Sequence, residues 1–141
     1  DAKYSKYQDD RPGQKEIVSG MKNKNRAHQI LNKYNMYETL SVFRLLDMHF
    51  SNRRHSLVFS AVHGVPPVAC GGEWHIKPAM EELGLGEYFV NFEDMAMDKL
   101  KKSCDATWEN RKQISSNILS KLPGLRDKAH QQAEIAKEII V

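Results

Sequence analysis

The stretch Asp47-Met48-His49-Phe50-Ser51-Asn52-Arg53-Arg54-His55-Ser56-Leu57-Val58-Phe59-Ser60-Ala61-Val62 decides how this chain folds. It continues as His63-Gly64-Val65-Pro66-Pro67-Val68-Ala69-Cys70 and Gly71-Gly72-Glu73-Trp74-His75-Ile76-Lys77. Met48 and Phe50 alternate with polar neighbours, which predicts a strand over Met48 to Asn52. Arg53-Arg54-His55 is a cationic turn. Ser56 to Val62 is apolar nearly all round and predicts a helix buried on most sides. Gly64 supplies a left-handed stop, and Pro66-Pro67 prevent continuation. Val68-Ala69-Cys70 has the unbroken apolar character of a strand in a parallel sheet covered on both faces. A glycine turn then leads into a helix starting near His75, with Pro78 in its first turn.

Outward from this stretch, Ile76, Met80 and Leu83 form the inner face of that helix, and Gly84 closes it. Glu87 to Phe92 alternates at period two and reads as the next strand. Asp94 is placed to cap a helix carrying Met97, Leu100 and Cys104. From Trp108 the chain reads as helical to the end, broken once at Pro123-Gly124. Ile114, Ile118 and Leu122 form a stripe before the break. Leu125, Ala129, Ala133, Ala136 and Ile140 form one after it. Upstream, Asn25 caps a helix bearing Ala27, Ile30, Leu31 and Tyr34, and residues 36–46 fit a helix or a short strand. Residues 1–24 are polar, with a turn signal at Asp9-Asp10-Arg11-Pro12-Gly13 and a faint strand at Ile17-Val18.

Alternation of strand and helix between residues 47 and 104 calls for a small parallel, Rossmann-like sheet with flanking helices, an α/β fold ending in long helices. The organisation expected is a polar segment at 1–24, an α/β lobe at 25–122 and an amphipathic C-terminal helix at 123–141. A sheet of so few strands, with helices carrying apolar stripes, reads as half of a larger two-lobed protein. The chain opens on Asp, which fits a piece of something longer.

With 141 residues, 40% hydrophobic and 28% charged, the chain has the composition of one soluble globular domain. A net charge of +3 is a mild bias toward anions, not the footprint of a nucleic-acid surface. Two cysteines are too few for a disulfide framework, so both are expected reduced in a cytoplasmic setting. No apolar run is long enough to span a bilayer.

In open parallel sheets, ligands sit outside the carboxyl ends of the strands. Arg53, Arg54 and His55 fall there and also open a helix, and Lys77 follows the next strand. Guanidinium forks, an imidazole and an ammonium suit a small, multiply charged anion. An Arg-Arg-His turn equally fits plain solvated surface, and Lys77 alone reads as a surface lysine. His49 and His63 read as satisfied structural histidines, and His75 is left open. The chain contains no HExxH, CxxC, Walker, GxSxG or GxGxxG pattern, so no metal or cofactor is called for.

The run from Asp47 through Arg53-Arg54-His55-Ser56 to Ala61, then Gly64-Val65-Pro66, then Lys77 and Leu83-Gly84-Leu85 to Tyr88, resembles the C-terminal half of polysaccharide pyruvyl transferases. The similarity covers roughly residues 40–105. It implies the C-terminal lobe of a glycosyltransferase-B-like architecture, paired with an N-terminal lobe or partner chain. It implies transfer of a pyruvyl group from phosphoenolpyruvate to sugar hydroxyls of a cell-surface polysaccharide or its precursor. By that resemblance Arg53 and His55 occupy donor-binding positions and Lys77 matches the family lysine. From the chemistry of such a donor, whose methylene carbon must be protonated, His55 is expected to be the catalytic acid or proton shuttle. Arg54 stands where the family commonly has an aliphatic residue, which leaves open which guanidinium faces the cleft. Two other readings compete: a glycosyltransferase lobe binding a nucleotide sugar, and a non-catalytic lobe acting through its terminal helices.

Overall fold

The computed structural model describes residues 11–72 and 74–140, with only the backbone of Ile140. The expected turn at Asp9-Asp10 and the residue Glu73 lie outside the described residues. The chain divides into two compact units, Asp1–Asn35 and Met36–Val141. In the first, helix α1 spans Arg11–Gly20, and a 3-10 turn spans Lys24–Arg26. The faint strand at Ile17-Val18 is therefore helix. Pro12 stands next to the start of α1, where its missing N–H does least harm, and Ser19 Oγ donates to the Glu16 carbonyl at 2.7 Å. The helix expected from Asn25 to Tyr34 does not form. Ile30, Leu31 and Tyr34 all stay exposed. An amphipathic face without a surface to pack on lacks the main source of helix stability.

The second unit carries the α/β fold. Helix α2 (Met36–Phe43) leads to strand β1 (His49–Ser51), helix α3 (Arg54–Val62), strand β2 (Pro67–Gly71), helix α4 (Ile76–Glu82) and strand β3 (Phe89–Asn91). A 3-10 turn, Gly86–Tyr88, takes the start of the strand expected from Glu87. A second, Phe92–Asp94, takes its end. The three strands are parallel, in the order β1-β2-β3. Ser51 pairs with Ala69 and Ala69 with Phe89, so these share one face. Phe50, Val68, Cys70 and Val90 share the other. β2 is buried at every position, as its unbroken apolar run requires. Gly64 (φ 68°) and Gly84 (φ 73°) adopt the left-handed conformation that stops α3 and α4.

The core forms on the Ala69 face. Leu57 and Ala61 of α3, Ile76 and Met80 of α4, and Ile114 and Ile118 pack together with Ala69. Side chains of this size each contribute about 1.5–3 kcal/mol when fully buried. The residues from Met97 to Ile140 form one helix, α5. The helix expected through Cys104 and the one expected from Trp108 are continuous, and the break expected at Pro123-Gly124 is absent. Pro123 removes the N–H that would meet the Leu119 carbonyl. Yet Ile118 on one side of it and Leu125 on the other both pack on the same core, which carries the helix through. α3 is less enclosed than its composition predicts, because Val58 and Val62 are 46% and 37% exposed. They border an open apolar groove of about 210 Å³ between α3, α4 and α5. No helix among the described residues is long and apolar enough to cross a membrane.

Candidate functional site

Parallel strands in sequential order put all their carboxyl ends on one edge. Arg53 follows β1, and His55 is the second residue of α3. Gly71 ends β2, and Lys77 is the second residue of α4. The backbone therefore brings Arg53, His55 and Lys77 to the same edge, at the ends of adjacent strands. Arg53, Arg54 and His55 are exposed and Lys77 is half-buried. Arg54 differs in placement: it lines the apolar groove on the helix side, with Glu82 and Arg126 on the same rim.

The turn is held by two serines that the sequence reading passed over. Arg53 N–H donates to Ser51 Oγ at 2.9 Å, and Ser56 Oγ donates to the Arg53 carbonyl at 2.8 Å. The two hydroxyls meet at 2.5 Å. Arg53 itself takes the N-cap position, with φ −117° and ψ 121° and no side-chain cap bond. Serines flanking a strand-to-helix junction commonly bond to nearby backbone. The spacing Ser51-x-Arg53-x-x-Ser56 is the signal from which this brace was legible.

The electrostatics of this turn are unusual. Free N–H groups at a helix start favour negative charge. α3 instead opens on Arg53, Arg54 and His55, and its first turn contains no acidic residue. α4 likewise opens without an acid in its first turn. Guanidinium and imidazole groups beside the free N–H groups of a helix start are of the type that accepts an anion. At the same edge, His75 takes the N-cap position of α4 and meets the Trp74 ring at a tilt of 53°, with ring centroids 4.1 Å apart. Its Nδ1 is buried and has no hydrogen-bond partner among the described residues.

The other histidines divide. His49 is structural, as expected: Nδ1 lies 3.2 Å from Ser60 Oγ, and Phe43 meets its ring edge-on at 4.9 Å. Burial holds its pKa below the ordinary value. His63 departs from expectation, because its Nε2 is buried without a partner among the described residues. The cysteines behave as small core side chains. Burial, then the nearby Cys104 thiol, pushes the Cys70 thiol up. Burial, then Asp105, does the same to Cys104. Both shifts run opposite to the lowered pKa that makes a reactive thiolate. Set against protein-family models, curated proteins and solved structures, the chain matches none of them.

Proposed function

We propose that this chain is the C-terminal lobe of a polysaccharide pyruvyl transferase, taking phosphoenolpyruvate as donor and a sugar as acceptor. The observation that carries the proposal is the opening of α3 on three basic residues with no acid in its first turn, at the carboxyl edge of a parallel sheet. Phosphoenolpyruvate brings a carboxylate and a phosphate, the groups that guanidinium forks and a helix N-terminus bind.

In this reading Arg53 holds a carboxylate or phosphate through its fork, its backbone fixed by Ser51 and Ser56. His55 delivers the proton to the methylene carbon of the donor. The pyruvyl C2 then has oxocarbenium character, and a sugar hydroxyl attacks it, passing its proton back to the His55 ring. Lys77 stabilises the phosphate as its bond to C2 breaks. A second hydroxyl of the sugar then adds to C2 and closes the ketal, its proton leaving with the phosphate. Positioned acid–base groups contribute about 10²- to 10⁴-fold. A second lobe, in the same polypeptide or as a partner chain, supplies the acceptor side of the cleft.

The test is His55→Ala in the active two-lobed assembly. Turnover should fall by about 10²-fold or more, with stability within about 0.5 kcal/mol because the residue is exposed. Undiminished turnover removes His55 and the assignment with it. Titrating phosphoenolpyruvate beside a uridine diphosphate sugar separates the donor classes. Binding of the nucleotide sugar alone assigns the lobe to a glycosyltransferase. A non-catalytic role has its own support in α5, where Ile135 and Ile139 are exposed on a helix that extends beyond the core.

A further inference from the structure

A second cationic cavity lies at the opposite, amino edge of the sheet. It has a volume of about 400 Å³, within the range of small-molecule sites. Its walls come from the segments that precede β1 and β2 and from the middle of α5, including Asp47, His63, Gly64, Arg111, Lys112 and Ser115. Proposed donor binding at the carboxyl edge does not account for it.

The donors available here are side chains. The amides of His63, Gly64 and Val65 are spent on the carbonyls of Ser60, Ala61 and Ser60, in the turn that ends α3. Arg111 is fixed in place: its guanidinium stacks 4.2 Å above the Trp108 ring, and Nη1 donates to the Trp108 carbonyl at 2.7 Å. That leaves the rest of its fork for a ligand. Lys112 adds a second cation and Ser115 a hydroxyl. His63 Nε2 is buried on this wall with no partner among the described residues. A buried, unpaired polar atom costs free energy that a ligand can recover. Asp47 is the one carboxylate among these lining groups, and it offsets one of the two permanent cations.

We infer that the amino-edge cavity binds a phosphate group, free or esterified, between His63, Arg111, Lys112 and Ser115. The ion is held by the Arg111 fork, the Lys112 ammonium and the Ser115 hydroxyl. Rotation of the His63 ring brings its buried Nε2 to the ion, to which it donates in the tautomer that carries hydrogen there. A cavity of this volume exceeds a bare phosphate, so a small phosphomonoester with a polar organic part fits.

The experiment is nitrogen-edited NMR of the full chain, with the His63 ring signals assigned by His63→Gln. Inorganic phosphate and glucose 6-phosphate are each titrated against sodium chloride at matched ionic strength. Either phosphate should shift the His63 ring, and Lys112→Ala should weaken the response by about tenfold, as loss of a charge-assisted contact does. Tighter binding of glucose 6-phosphate assigns the site to an ester, and tighter binding of inorganic phosphate assigns it to the free ion. A shift no larger than chloride produces overturns the inference, as does full affinity in both Lys112→Ala and Ser115→Ala. His55→Ala should leave the response intact. Its loss in that variant would move the phosphate to the carboxyl edge, so this inference and the pyruvyl transferase reading fail separately.

Discussion

His49 shows how one buried ring ties stability to pH. Its pKa is lowered because burial disfavours the charged form. The unfolded chain therefore binds a proton at higher pH than the folded one does. Stability from this group is complete above the ordinary histidine pKa of about 6.5 and is lost as pH falls through the window below it. The denaturation midpoint should drop between about pH 7 and pH 5, and His49→Gln should remove part of that dependence while keeping a partner for Ser60. A pH profile identical in the variant would show that the ring does not titrate with folding. His49 was legible as structural because it sits inside a strand pattern. The unpaired Nε2 of His63 was not, because the opposite wall of its cavity arrives from α5, about fifty residues further along the chain.

Among the elements, α5 departs most from expectation. Pro-Gly is a strong local stop signal, and residues 123–124 carry it in an otherwise helical pattern. The helix continues because Ile114, Ile118 and Leu125 are held by α3, α4 and β2 together. Local preference and tertiary packing oppose each other at this point, and packing wins. Pro123→Ala should therefore raise stability by about 1–3 kcal/mol, read as a shift in the urea midpoint. No gain would mean that the helix is interrupted there in solution. The strand–helix alternation from β1 to β3 was readable for the opposite reason. In that stretch the glycines, the prolines and the apolar runs all agree with the packing.

Over the whole molecule, the folded unit and its longest helix are unequal in extent. Residues 126–139 are exposed throughout, and Ile139 is 79% exposed. A helical arm of that length draws little stability from the core it leaves. Deleting residues 127–141 should lower helical ellipticity while changing folding free energy by no more than about 0.5 kcal/mol. A larger loss in urea denaturation would show that the arm packs where the structure leaves it uncovered. Residue order alone determined the α/β class, the two glycine stops, the fully buried central strand and the gathering of Arg53, His55 and Lys77 at one sheet edge. These follow from periodicity and from the rule that sequential parallel strands end together. Folding in three dimensions determined the unbroken course of α5, the absence of the helix expected from Asn25 to Tyr34, the departure of Arg54 to the groove and the cavity around His63. Each depends on which distant surface reaches a segment, and local patterning carries no record of that.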